Sequence, residues 1–287
     1  MWHAIAQQLS EVLAFNFIIR EKEHLSDGEC NSCYMISDGE ERYFVKVNGR
    51  EFISKFESEI DNLSALLATS TIRVPQPVTC GVTKDNAFLI LNYLPTKPVI
   101  PPKDAFDFGN QLAMLHQWGE QKEYGYDADT YVGLNLQPNT WHKNWGFFFA
   151  EFRIGWQLQL LKEKGLDLGD IDQTVNLVKS ILGAHSPKPA LLHGNLTANN
   201  HALSVSGVIS YDPSSYWGDR ECDIAIIEAF SGLDDEFFKA YNQSYPLPEG
   251  YLNRKSVYQL YYLLCCCNQF GGDYLPQCLE QISQLEK

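Results

Sequence analysis

The hydrophobic period of this chain switches between strand and helix spacing up to Leu94 and is helical beyond it, and that shift divides the chain in two. From Phe17 to Asn48 the apolar residues come in short runs with turn residues between them: Ile18-Ile19-Arg20, Ser26-Asp27-Gly28, Cys33-Tyr34-Met35-Ile36, Asp38-Gly39 and Tyr43-Phe44-Val45-Lys46-Val47. Strands turn successive side chains to opposite faces, so this pattern predicts a meander of antiparallel strands. Residues 51 to 69 place Phe52, Phe56, Ile60, Leu63, Leu66 and Leu67 at helical spacing, Val74-Pro75-Gln76-Pro77 closes them, and a strand pair follows around Cys80 and at Phe88-Leu89-Ile90-Leu91. After Asn92-Tyr93-Leu94 and a proline-rich piece, Pro95 to Pro102, the spacing is helical through Phe106 to His116, Trp145 to Lys164 and Ile171 to Leu182. The chain therefore reads as α+β and two-lobed, with a small antiparallel-sheet lobe at 1–94 and a larger helical lobe at 95–287. An amphipathic helix at the start, carrying Trp2, Ile5, Ala6, Leu9, Val12 and Leu13, should pack on the first lobe.

With 287 residues and 45% hydrophobic content the chain can bury an ordinary core. It contains no apolar run of about 18 residues, and its opening Met1-Trp2-His3-Ala4-Ile5 has no signal-peptide layout, so the expectation is a cytoplasmic protein without a membrane span. Its eight cysteines are then expected to be reduced thiols. A net charge of −14 argues against a nucleic-acid partner, which needs a basic footprint, and favours a cationic or neutral small molecule. Oligomeric state is left open.

The chemistry concentrates in Leu191-Leu192-His193-Gly194-Asn195-Leu196-Thr197-Ala198-Asn199-Asn200, followed by Tyr211-Asp212-Pro213. In phosphoryl-transfer sites of the kinase type, a His-x-Asp turn presents a carboxylate to the acceptor hydroxyl, an Asn five residues on holds metal, and a later Asp at a strand end holds metal on the ATP phosphates. Asn200 and Asp212 have that spacing and are the candidate magnesium ligands. Asn195 occupies the position of the base, where an amide cannot take up a proton as a carboxylate does. Lys46, inside an apolar strand, and Glu59, a step away from the Phe56 and Leu63 face of the next helix, have the layout of a phosphate-holding lysine and its orienting carboxylate. The loop Ser26 to Ser32, with Gly28 and Asn31, is a candidate phosphate loop, since glycine lets backbone amides approach an anion.

Other residues read as structure. Cys30 and Cys33 form a C-x-x-C pair with no second pair to complete a zinc site, so they are either incidental or an oxidation-sensitive loop. Among Asp219, Arg220, Glu221 and Asp223, one or more should cap the helix through Ile227 and Phe230, and an Asp there should tie back to the His193 turn. His116 should be a satisfied core histidine, and Cys265-Cys266-Cys267 buried thiols. Trp141, Trp145, Phe147, Phe148 and Phe149 read mainly as core.

Taken in order, several segments resemble the fructosamine kinase (ketosamine kinase) family, relatives of the aminoglycoside phosphotransferases and of protein kinases. They are Gly28 to Asn31, Val45-Lys46-Val47-Asn48, Phe56-x-x-Glu59, Val74-Pro75-Gln76-Pro77, Leu112-Ala113-x-Leu115-His116, Tyr124-Gly125-Tyr126 through Asn139-Thr140-Trp141 and Trp145-x-x-Phe148-Phe149, and Tyr216-Trp217-Gly218-Asp219-Arg220-Glu221-x-Asp223-Ile224-Ala225. The resemblance implies a protein kinase-like fold and transfer of the ATP γ-phosphate, with magnesium, to the 3-hydroxyl of a deoxyketose on an amine. It further implies that Lys46 and Glu59 hold ATP, that Asn92 to Leu94 lie at the adenine hinge, and that Asn200 and Asp212 bind metal. The family turn reads His-Gly-Asp-Leu-Trp-Ser-Gly-Asn; here Asn195, Thr197, Ala198 and Asn199 replace four of those residues. Asp27 stands where a loop Gly is common, and Asn92 where the hinge usually has Glu. Two alternatives to a ketosamine kinase stay open: a kinase for an aminoglycoside or other aminated acceptor, and a nucleotide-binding pseudokinase.

Overall fold

The computed structural model describes residues 1–28 and 30–286 and falls into two units, Met1–Val99 with Ala202–Asp212, and Ile100–His201 with the chain from Pro213 on. In the first unit a helix α1 (Trp2–Leu13) precedes strands β1 (Glu21–Asp27), β2 (Ser32–Ser37) and β3 (Arg42–Gly49), a helix α2 (Ile53–Thr69), and strands β4 (Pro77–Val82) and β5 (Asn86–Asn92). The sheet is antiparallel, in the order β1-β2-β3-β5-β4. Alternation along β3 fixes what each face does. Tyr43, Val45 and Val47 join Ile36, Phe88 and Ile90 in a cluster under Ile5 and Leu9 of α1. Burying each such side chain contributes about 1.5–3 kcal/mol. Phe44, Lys46 and Asn48 consequently point to the opposite face.

The first strand differs from the sequence expectation. Ile18-Ile19-Arg20 is not a strand; β1 begins at Glu21, and all seven of its residues are exposed. An edge strand with a charged, solvated surface has no apolar alternation to reveal it. Residues 202–212 group with the N-terminal residues and not with the chain around them. Backbone pairing accounts for this: Leu203 and Ser204 pair with Lys97 and Thr96, and the Ser210 N–H donates to the Arg73 carbonyl at 3.0 Å.

The second unit is mainly helical: α3 (Pro102–Gln117), α4 (Trp145–Phe149), α5 (Trp156–Glu163), α6 (Ile171–Leu182), α7 (Glu221–Phe230), α8 (Asp235–Ser244), α9 (Tyr251–Phe270) and α10 (Leu275–Leu285). A wide helical turn, Ala150–Gly155, joins α4 to α5. α3 approaches α8 so closely that a Cβ on Gly109 would collide with the Phe237 carbonyl. Trp145, Phe148 and Phe149 are core as expected, whereas Phe147 is exposed. The fully buried Arg153 has its charge met by the Pro138 carbonyl and Asn139 Oδ1, each at 2.6 Å, and by the Tyr216 ring. Cys265, Cys266 and Cys267 are buried on α9. Among the described residues no helix is long and apolar enough to cross a membrane.

Candidate active site

In the first unit the face of the sheet opposite α1 carries the cationic group. Lys46 pairs across β3 with Cys33 on one side and Leu89 on the other, and its Nζ donates to Glu59 Oε1 at 2.7 Å. Lys46 Nζ also pairs with Asp212 Oδ1. Glu59 lies on the buried side of α2 with Phe56, Leu63 and Leu66, more central than its sequence position suggested. Lys46 is 4% exposed and Glu59 6% exposed, so removing either partner would strand a buried charge. Asp212 has φ 55°, a left-handed conformation that costs a non-glycine residue about 1–2 kcal/mol. Strain of that kind gathers where a side chain must be aimed.

The loop between β1 and β2 is fastened to the same face. The Gly28 N–H donates to the Asn31 carbonyl at 2.8 Å, and a Cβ on Gly28 would stand 3.3 Å from that oxygen. Asn48, two residues after Lys46, donates to the Cys30 carbonyl at 2.7 Å and accepts from the Gly49 N–H at 2.7 Å. Glu29 of this loop lies outside the described residues. Cys30 and Cys33 are not joined in a disulfide, and burial pushes the Cys33 thiol above its usual range, which makes it a poor nucleophile. Asn92, at the end of β5, is engaged with Gln76: its N–H donates to the Gln76 carbonyl at 3.0 Å and its Oδ1 accepts the Gln76 N–H at 2.6 Å. Leu94, two residues on, is half-buried beyond the strand.

In the second unit the short strands Ala190–Leu191 and Trp217–Gly218 pair and deliver the chain to the His193 turn. Asp223, in the first turn of α7, holds that turn, accepting the His193 N–H through Oδ2 and the Gly194 N–H through Oδ1, both at 2.8 Å. His116 Nε2 reaches Asp223 at 3.1 Å and its Nδ1 meets the Tyr241 hydroxyl at 2.8 Å, so His116 is a satisfied core histidine. Burial pushes the Asp223 carboxyl up, but the hydrogen bond and charge of His116, the charge of His193 and the Gly194 N–H together hold it below the usual carboxylate value. Gly194 has φ 79°, and a Cβ there would collide with the Ser214 carbonyl oxygen. Only glycine fits that position.

Past the glycine, the Asn195 carbonyl accepts from the Thr197 N–H at 3.0 Å and from Asn200 Nδ2 at 2.8 Å. Asn195 and Asn200 are thus brought together and buried. With its amide nitrogen committed, Asn200 keeps Oδ1 to offer, and Asp212 carries a carboxylate; oxygen atoms of this kind are the donors magnesium takes. One of the two belongs to each unit. Within the second unit, His185, Asp219 and Glu221 bring ligand atoms within 4.8 Å of one another. These are occupied structurally, Asp219 by the Tyr258 hydroxyl at 2.6 Å and His185 at 2.7 Å, Glu221 by two bonds from Arg254. Sequence reasoning passed over Asn48 as a loop anchor, and narrowed the holder of the turn to the group that contains Asp223 without singling it out. Their signals were weak: an amide just after the lysine strand, and one carboxylate among three near a helix start.

His193 supplies a pH test. Its Nδ1 accepts the Asn195 N–H at 3.3 Å, its Nε2 has no hydrogen-bond partner among the described residues, and burial pushes its pKa from 6.5 down to about 4. A histidine buried neutral binds its proton later than the unfolded chain does, so stability is complete above the unfolded value and is lost as pH falls from 6.5 toward 4. Urea unfolding of the second unit should lose about 2 kcal/mol between pH 6.5 and a pH near 5. A His193→Gln variant, unable to titrate, should lose most of that slope; an equal slope would assign the acid sensitivity elsewhere.

Residues 1–287 match the family profile described as fructosamine kinase. A Vibrio vulnificus protein named "probable ketoamine kinase" is 56% identical over 99% of both chains. A crystal structure of a candidate fructosamine-3-kinase from Haemophilus somnus superposes with a TM-score of 0.96 at 40% identity, covering 100% of this chain and 98% of that one. An aminoglycoside phosphotransferase solved with AMP-PNP and hygromycin B shares the fold, with a TM-score of 0.67 at 13% identity over 98% of this chain and 97% of that one. The two-lobed, kinase-like α+β architecture expected from the sequence is therefore the fold of this chain.

Proposed function

The chain belongs to the fructosamine kinase family and so to the phosphotransferases, and we propose that it moves the terminal phosphoryl group of ATP, with magnesium, to a hydroxyl of a ketosamine, a sugar carried on an amine. The observation that carries this reading is the buried Lys46 ammonium bonded to Glu59 and paired with Asp212 in the first unit. That constellation suits nucleotide phosphates, Lys46 holding them and Glu59 fixing the direction of the ammonium. Gly28 and the loop fastened by Asn48 would cover the phosphates, and the segment from Asn92 to Leu94 would border the adenine. Asn200 and Asp212 would hold magnesium, which when bound neutralises charge on the transferring group. The Asp223-held turn presents Asn195 at the base position, where its amide can orient the acceptor hydroxyl without taking its proton. The names of the relatives support a glycated amine as acceptor, and a net charge of −14 favours a cationic one.

Asn195 itself favours a second reading, a nucleotide-binding protein with little or no turnover. Titration calorimetry with Mg-ATP, followed by mass detection of phosphorylated product from a glycated lysine, separates the two. Wild-type protein should bind Mg-ATP, and Lys46→Ala should weaken it about tenfold or more. A folded wild-type protein that takes up no Mg-ATP would sink the proposed function. Binding without product would select the second reading.

A further inference from the structure

Lys55 has no task in that reading, yet it lies beside the groups that do. It is on α2 four residues before Glu59, one turn back on the same side of the helix. Its Nζ lies over the Phe56 ring, 5.9 Å from the centroid. Its Nζ is 3.2 Å from the end of the Asn31 side-chain amide in the β1–β2 loop. In the orientation that satisfies both ends of this amide, its nitrogen donates to the Cys30 carbonyl at 3.3 Å and its oxygen accepts from Lys55 Nζ at 3.2 Å. Among the described residues no ion pair within 4 Å includes Lys55, whereas Lys46 nearby has two carboxylate partners. Burial pushes the Lys55 ammonium below its usual pKa, Glu59 pulls it back up, and Lys46 pushes it down.

A half-buried ammonium with one neutral acceptor and no carboxylate, near a second ammonium, is an arrangement that a polyanion completes. Phosphate oxygens would give Lys55 the anionic partners it lacks, beside the loop that Asn31 and Asn48 fasten. Building on the nucleotide reading above, we propose that Lys55 is a second phosphate-binding lysine, which ties the outer phosphates of the nucleotide to the first turns of α2 and makes the site prefer a triphosphate to a monophosphate.

The test is calorimetric titration of the whole protein with Mg-ATP and, separately, with AMP, using wild type, Lys55→Met and Lys55→Arg. Methionine keeps an unbranched apolar stem and removes the charge; Lys55→Gln substitutes for it should that variant fail to fold. Loss of a charged hydrogen bond should weaken Mg-ATP about tenfold to a hundredfold. AMP affinity should stay within about threefold, and Lys55→Arg should restore most of the Mg-ATP affinity. Unchanged Mg-ATP affinity in Lys55→Met overturns the inference. So does an equal fall for Mg-ATP and AMP, which would assign Lys55 to loop structure alone. Wild-type protein that binds neither nucleotide overturns the nucleotide site and this inference together, and is distinguished by that first titration.

Discussion

Asn195→Asp is expected to raise phosphoryl transfer to a ketosamine by roughly 10²-fold, with 10⁴-fold as the upper bound for a restored general base. The turn around it is already built: Asp223 holds the His193 and Gly194 amides, Gly194 supplies the left-handed residue, and Asn200 is bonded to the Asn195 carbonyl. The substitution exchanges an amide for a carboxylate of nearly the same shape, so it changes proton chemistry and leaves the backbone alone. Its effect should fall on kcat, with Mg-ATP affinity moving little, because the proton is taken up only as the acceptor reacts. A coupled assay of both forms on glycated lysine decides it. Flat turnover with intact Mg-ATP binding would place the obstacle in Thr197, Ala198 and Asn199 and direct the search to a different acceptor.

Asp223→Ala should cost about 3–5 kcal/mol of stability, the range for breaking a fully buried charged network. The carboxylate accepts two backbone N–H groups and faces His116, and all three would be left buried without it. Turnover should be lost as well, because the two amides aim the residue that follows them. Urea unfolding at neutral pH measures the first effect. Asp223→Asn separates it from the second, since the amide keeps one acceptor oxygen and should recover part of the stability while leaving one N–H unmet. A loss below about 1 kcal/mol in Asp223→Ala would mean that the turn holds its shape through Gly194 and the paired strands alone.

The sheet of the first unit was legible where one face is buried, as at Tyr43, Val45 and Val47, because burial writes a period of two into the sequence. It was illegible at β1, whose exposed residues are under no such demand. The Lys46–Glu59 pair could be read because a charge inside an apolar strand breaks a pattern, whereas the burial of Glu59, a step off the apolar face in the sequence, comes from packing. Asp223 could only be narrowed to a group, since which carboxylate reaches a distant turn depends on packing between α7 and α3. Lys55 broke no pattern at all: a lysine on a helix is ordinary until its neighbours are known. The grouping of residues 202–212 with the first unit was equally hidden, because strand pairing ignores distance along the chain.

That grouping gives the protein an order of assembly. The N-terminal unit cannot be finished when its own first stretch leaves the ribosome, because Asp212, the second partner of Lys46, is among the residues still to be made. Until then the lysine has Glu59 alone, and Thr96 and Lys97 have no strand beside them. Much of the helical unit must emerge before the sheet unit can close, so synthesis joins the completion of one to the arrival of the other.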